Sequence, residues 1–211
     1  ILEQLAEYAF ERNKIGRVAL VPSPIVNLIG SRTHRNSLTG VAINVGAEET
    51  SISSICDGII QNYSICPVAG KQLTSYMQQL LQELGYSFIT RSEISIVDSI
   101  KQTFSSVALP SLDEALKAAA SASEFQYELP DGYVMSIMSH YGFQCMEPLF
   151  SPQLIGINSE LGLNSLLARN IEEACASNMV SRSALLSNVT MLGATCKAKG
   201  FAERVEYELK N

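Results

Sequence analysis

Cysteine and histidine are the residue types best suited to bind metal ions or to act as nucleophile and base, but their spacing here favours neither role. No two of the five cysteines form a Cys-x-x-Cys pair, and only His34 and His140 accompany them. Scattered thiols are poor zinc ligands and poor candidates for disulfides. We therefore predict no metal-binding side chains, and reduced, mostly buried thiols. The cysteines are Cys56, Cys66, Cys145, Cys175 and Cys196.

Nucleophilic catalysis is supported no better by the sequence. His34 lies in a polar segment and His140 follows a predicted hairpin, and neither has a nucleophile-elbow motif nearby. The glycines of residues 156–162 do not follow a strand in a dinucleotide-binding pattern. We therefore predict no catalytic residue and interpret both histidines as surface side chains.

Length and composition limit the class of protein. A chain of 211 residues, 46% of them hydrophobic, is long enough for one large domain or two small lobes. The net charge is −6 and the sequence has no basic stripe, which argues against direct nucleic-acid binding. No apolar run approaches the roughly 18 residues of a membrane span, and residues 1–6 lack the basic start of a secretory signal. We expect an intracellular protein without a membrane partner.

Hydrophobic periodicity and turn residues predict an alternating order of helices and strands. Strands at 40–45, 51–56 and 59–63 should form an antiparallel meander, with Asp57-Gly58 as a hairpin turn. Residues 114–122 fit either a short helix or a loop. The other predicted helices are 2–10, 73–84 (ended by Gly85), 92–104, 161–170, 171–178 and 201–209; the other strands are 17–21, 184–191 and a hairpin centred on 130–132.

Several segments, in the same order along the chain, resemble consecutive segments of actin and its relatives. Such colinear order is more specific than any one motif, since a Leu-Pro-Asp-Gly turn or a lone glycine loop is common. On this basis the sequence is identified as a member of the actin family. The segments are residues 69–76, 85–88, 96–101, 107–109, 127–132, 143–152 and 187–193.

The resemblance implies an α/β, actin-like ATPase fold, in which nucleotide lies between two ribonuclease-H-like lobes. It assigns residues 1–31 to a remnant of the first lobe, 32–68 and 157–211 to the large subdomain of the second lobe, and 69–156 to an inserted small subdomain. The family's N-terminal phosphate hairpin and C-terminal elements have no counterpart here. We expect either a piece of a longer protein or a shortened relative that needs a partner to cover its exposed face.

The segment 44–50 resembles the family's second phosphate hairpin with altered chemistry. In the family this hairpin carries aspartates that hold the water shell of Mg²⁺ and glycines that let backbone N–H groups approach the phosphates. Asn44 and Ala47 replace the aspartates, Gly46 is kept, and Glu48 replaces a glycine. A carboxylate about 4 Å from a phosphate oxygen costs on the order of 4 kcal/mol at an effective dielectric near 20. The alternative is that Glu48 and Glu49 simply lie at the tip of a solvent-exposed hairpin.

The glutamine that positions the attacking water in the family corresponds to Val21-Pro22. Neither side chain can hydrogen-bond a water molecule, and Pro22 also lacks a backbone donor. The resemblance therefore implies a degenerate ATPase that is not an enzyme.

The nucleoside side of the family's site is better kept. The resemblance implies that the following residues bind nucleotide if binding is retained: Gly46, Gly70, Lys101, Gln102, Gly193, Ala194, Thr195 and Lys197. Gln102 replaces a ribose-binding glutamate and keeps an acceptor. Residues 197–199 depart from the Met-Tyr-Pro pattern that flanks the base, which removes stacking surface. Taken alone, Lys101 also fits a solvated helix lysine. The implied cofactor is ATP or ADP with Mg²⁺, and its retention stays open.

These substitutions lead to three hypotheses about function. The first is a eukaryotic, non-catalytic structural or scaffold subunit of a cytoskeletal, ciliary or chromatin-associated complex. Its partners would be other protein subunits, including actin or actin-related proteins, in the cytoplasm and cytoskeleton or, alternatively, in the nucleus. The second is an ATP-binding switch. The third is a filament-forming actin with weak ATPase activity, whose contact face would include residues 136–142 and 152–158.

Overall fold

A four-stranded mixed sheet organises the larger part of the fold in the computed structural model, which describes residues 2–30, 38–119, 124–177 and 179–210. The strands are β1 (Gly40–Val45), β2 (Thr50–Cys56), β3 (Ile59–Cys66) and β6 (Val189–Leu192), in the order β3-β2-β1-β6. The first three are antiparallel, and β6 pairs in parallel with β1. Asp57 and Gly58 form the β2–β3 turn with φ angles of 49° and 78°, which confirms the predicted meander and its hairpin turn.

Helices cover both faces of this sheet. On one face, Val41, Ile43 and Val45 point into a core shared with α7 (Leu163–Ala176), α8 (Arg182–Leu186) and α9 (Phe201–Lys210). On the opposite face, α2 (Ser23–Gly30) packs Leu28 against Ala42 and Ile55. Because side chains alternate between the faces of a strand, β1 must be apolar on both sides, as its sequence is.

A second core lies under the helices α3 (Gly70–Glu83), α4 (Arg91–Phe104) and α6 (His140–Met146) and the hairpin of β4 (Glu124–Glu128) and β5 (Val134–Met138). The centre of this second core includes Met77, Leu81, Val97, Ile100, Met135 and Ile137. Outside it, helix α5 (Leu112–Ala119) follows α4 in the chain, and the short α1 spans Leu2–Glu7. Leu73, Val107 and Leu149 pack in the larger core instead, so the 69–156 subdomain is continuous with the sheet. The predicted subdomain boundaries stay predictions.

Three predictions about elements need correction. Residues 17–21 are not a strand; Leu20 and Val21 are 63% and 49% exposed, and a strand needs a backbone partner. The predicted strand 184–191 is divided, because Ser181 Oγ accepts from the Ala184 N–H at 3.2 Å and caps α8 before β6 begins. The helices predicted at 161–170 and 171–178 form one helix, α7.

Some predictions fall on residues outside the described part of the chain. Residues 114–119 of the ambiguous segment belong to the helix α5, whereas 120–122 lie outside the described residues. His34, residue 178 and the boundary between residues 31 and 32 also lie outside them. His140 begins α6.

A fully buried amide fixes α7 to the sheet. Asn170 has 0% exposure. Its Oδ1 accepts from Ser54 Oγ at 2.7 Å, and its Nδ2 donates to Ser64 Oγ at 2.9 Å and to the Ile52 carbonyl at 3.4 Å. These contacts join the helix to both β2 and β3 and satisfy polar groups that would otherwise be buried without partners.

Replacing Asn170 with alanine should lower the free energy of unfolding by about 2–4 kcal/mol, because two serine hydroxyls lose their buried partner and a cavity forms. Urea denaturation measures this change. Arg169→Ala, at an exposed position on the same helix, is the control and should change stability by less than about 0.5 kcal/mol. Equal effects of the two variants would contradict the assigned role of Asn170.

A buried guanidinium ties α9 to the segment after α6. Arg204 Nε donates to Glu208 Oε1 at 2.6 Å, Nη1 to the Ala108 carbonyl at 2.9 Å, and Nη2 to Glu147 Oε1 at 3.4 Å. The guanidinium carbon also lies 4.7 Å from the centre of the Phe150 ring. Burial raises the pKa of Glu147 above its usual value, although the charge of Arg204 opposes this change.

Because the pKa of Glu147 is raised on folding, its contribution to stability is present below the ordinary carboxyl pKa and is lost as pH rises through the raised value. Glu147→Gln removes the titrating group, so the variant should not show this loss. The free energy of unfolding of the variant minus that of the native chain should therefore increase when the pH is raised from about 4.5 to about 7.5. Urea midpoints at the two pH values test this, with the exposed Glu203→Gln as control. A stability difference that does not change with pH would contradict it.

Candidate functional site

A cleft of about 1160 Å³ lies where the β1–β2 hairpin, the first turn of α3, one face of α4 and the turn Thr195–Lys197 meet. Seven of the eight residues predicted from the sequence to bind nucleotide line it: Gly46, Gly70, Lys101, Gln102, Ala194, Thr195 and Lys197. Segments far apart in sequence are thus brought to one site.

Gly193, the eighth predicted residue, does not line the cleft but packs against the end of β1 next to it. Its φ angle is +94°, and a Cβ added there would lie 2.0 Å from the Val45 carbonyl oxygen. Only glycine permits this conformation and this close approach to the end of β1. This contact places Ala194 and Thr195 beside the β1–β2 hairpin.

The hairpin and α3 are joined by backbone hydrogen bonds. The Gly70 N–H donates to the Gly46 carbonyl at 2.9 Å, and the Lys71 N–H donates to the Ala47 carbonyl at 2.7 Å. A Cβ on Gly70 would lie 3.1 Å from Ala47 Cα, so a side chain there would require the hairpin to shift slightly. The first-turn amides of α3, which at many helix N-termini bind anions, are therefore used to hold the hairpin.

Lys101 is only 9% exposed, and its ammonium group is buried between α3 and α4. It donates to the Gly70 carbonyl at 3.0 Å and to Thr74 Oγ1 at 2.7 Å. A third bond runs to Asp98 Oδ1 at 2.7 Å. These acceptors take all three N–H donors of the ammonium. The alternative of a solvated helix lysine is therefore wrong, and the ammonium is bonded to protein atoms at the wall of the cleft.

Asp98 is a site residue that the sequence reasoning missed. Its side chain accepts from Lys101, Thr74 and, at 2.6 Å, Gln102 Nε2. Burial acts to raise its pKa, but the hydrogen bonds from Lys101, Thr74 and Gln102 and the charge of Lys101 together hold the pKa below its usual value. The spacing of Asp98, Lys101 and Gln102 at i, i+3 and i+4 on a predicted helix was the available signal.

The Glu48 carboxylate on the hairpin forms an ion pair with Lys71. Its Oε1 accepts from Lys71 Nζ at 2.5 Å, with both side chains largely exposed. The hydrogen bond from Lys71, and then its charge, lower the pKa of Glu48. The carboxylate that was expected to repel phosphate therefore has a cation beside it, and Lys71 was not identified from the sequence.

Comparison with known protein families identifies the fold. A family model described as Actin matches residues 2–211. The chain belongs to the actin family. Its mixed sheet, with helices on both faces and a second core beside it, fits a partial actin-like fold. Among the described residues of this actin-family chain, no helix is long and apolar enough to cross a membrane.

The contacts of Lys101 predict a structural effect that needs no ligand. Lys101→Met should lower the free energy of unfolding by about 2–3 kcal/mol, because Asp98 and the Gly70 carbonyl lose a buried partner. Lys71→Met, which removes an exposed ion pair, should change the free energy of unfolding much less than Lys101→Met. Combining Lys101→Met with Asp98→Asn should cost less than the sum of the two single changes.

Urea denaturation of these variants, without nucleotide, measures the difference. Equal sensitivity to the Lys101 and Lys71 substitutions would contradict a structural role for the buried ammonium.

Proposed function

We propose that this actin-family protein is a non-catalytic structural or scaffold subunit of a cytoskeletal, ciliary or chromatin-associated complex. The observation that carries the proposal is that polar side chains of the cleft bind one another. Lys101 and Gln102 bond to Asp98, and Lys71 bonds to Glu48. Groups that are satisfied within the protein must lose those bonds before they can contact a ligand.

Two replacements oppose hydrolysis. Asn44 and Ala47 offer an amide and a methyl group where the family has aspartates, and neither carries the negative charge that holds the water shell of Mg²⁺. Val21 and Pro22 occupy the place of the water-positioning glutamine, in a segment whose Val21 side chain is 49% exposed. Phosphoryl transfer depends on the positioning of water and metal, so their loss opposes turnover.

Protein partners would have an apolar surface to bind. Large apolar side chains of the N-terminal segment are exposed, including Leu2 at 66%, Tyr8 at 60%, Leu20 at 63% and Ile29 at 63%. Surfaces of this kind are typical of protein interaction sites. Other protein subunits, including actin or actin-related proteins, are the partners we propose, in the cytoplasm and cytoskeleton or in the nucleus.

An ATP-binding switch is the second candidate, and the Glu48–Lys71 pair favours it. Because the carboxylate is paired with a cation, it repels phosphate less than an isolated one would. The glycines at 46 and 70 also keep the hairpin close to α3 and the cleft open. In this candidate the protein holds ATP or ADP without turning it over.

Calorimetry with the full-length protein tests the proposal. We expect ATP to bind weakly, with a Kd in the millimolar range, and to bind equally in Mg²⁺ and in EDTA within about twofold, because the metal-holding carboxylates are replaced. The double variant Asn44→Asp/Ala47→Asp should acquire a dependence on Mg²⁺. Gln79→Glu/Gln153→Glu adds the same charge at exposed positions elsewhere and should not. Tightening of native ATP binding by Mg²⁺ of tenfold or more would overturn the non-catalytic assignment.

A further inference from the structure

The cleft lining is positively charged, although the chain carries a net charge of −6. Among the described residues, the lining contains five cationic side chains, Lys71, Arg91, Lys101, Lys197 and Lys199, and one carboxylate, Asp98. Lys71 and Lys101 form ion pairs with Glu48 and Asp98. The other three, which we call the rim cations, are Arg91, Lys197 and Lys199, and they form no ion pair with the described residues.

The rim cations are carried by two elements that backbone and capping hydrogen bonds hold in place. Arg91 is the first residue of α4, directly after the cap residue Thr90, whose Oγ1 accepts from the Glu93 N–H at 3.3 Å. Lys197 ends the turn Thr195–Lys197. The Lys199 carbonyl accepts from the Val107 N–H at 2.8 Å, which anchors that segment while the side chain stays exposed.

The wall along α4 is hydroxyl-rich. Ser95, Ser99 and Thr103 line the cleft at four-residue intervals, and each donates its hydroxyl proton to the carbonyl four residues earlier, at 2.9–3.2 Å. No aromatic side chain of the described residues lines the cleft. A purine ring would therefore find no aromatic stacking partner among the described residues of the lining.

We propose that the cleft binds a small molecule carrying several phosphate groups, recognised through the rim cations and not through a purine ring. Lysine and arginine form charge-assisted hydrogen bonds with phosphate oxygens. A cleft whose charged side chains are mainly cations also concentrates anions within it. A volume of about 1160 Å³ is suited to a small molecule. This inference rests on the second candidate function, in which the cleft holds a ligand, and it changes the identity of that ligand.

Calorimetry of the full-length protein with inorganic tripolyphosphate and with adenosine tests the inference. Tripolyphosphate should bind at least as tightly as ATP, and adenosine should show no detectable binding. The double variant Lys197→Gln/Lys199→Gln should weaken tripolyphosphate binding by about tenfold. Lys117→Gln/Arg182→Gln removes the same charge at exposed positions outside the cleft and should change binding by less than about twofold. Binding should also weaken as salt concentration rises.

The outcomes separate this inference from the proposed function. If tripolyphosphate does not bind, binds equally well to both double variants, or binds more weakly than adenosine, recognition through phosphate is overturned while the non-catalytic assignment is untouched. If tripolyphosphate binds as expected and Mg²⁺ tightens ATP binding tenfold, the non-catalytic assignment fails and the inference stands.

Discussion

The burial of one ammonium group determines how the cleft is built. The Lys101 side chain, removed from water, requires three acceptors, and it finds them on α3 and α4. One of them is the carbonyl of Gly70, whose own N–H binds the β1–β2 hairpin. The hairpin, α3 and α4 are therefore positioned by a single connected set of hydrogen bonds, and the shape of the cleft follows from it.

This construction limits what the cleft can do chemically. Lys101 and Asp98, in the wall of the cleft, bind each other and hold α3 to α4 through the contacts of Lys101. The rim cations, which form no ion pair with the described residues, lie on α4 and on the segment after Thr195. Positive charge at a rim attracts anions but does not position a water molecule or a metal ion. The proposed ligand binding and the proposed lack of turnover are therefore compatible at the same site.

Features that depend on local sequence were predicted well. The β1–β2–β3 meander follows from short apolar runs and an Asp-Gly turn, and α3 ends before Gly85, which has a φ angle of +89°. The loop glycines at 46, 70 and 193 were identified through the resemblance, and the structure places all three at the cleft or directly behind it. Tertiary pairing was not predictable in this way. Residues 17–21 have the composition of a strand, but strand formation depends on a neighbour that the sequence pattern does not specify. The pairing of Glu48 with Lys71, 23 positions apart, likewise depends on how the hairpin meets α3.

Phosphate release from ATP under single-turnover conditions, with the full-length protein in excess and Mg²⁺ present, tests the central claim most directly. We predict no release above the spontaneous rate, because Asn44, Ala47 and the Val21-Pro22 segment supply neither the metal-holding charges nor the water-positioning amide. Release in Mg²⁺ that exceeds the spontaneous rate and disappears in EDTA would contradict the account.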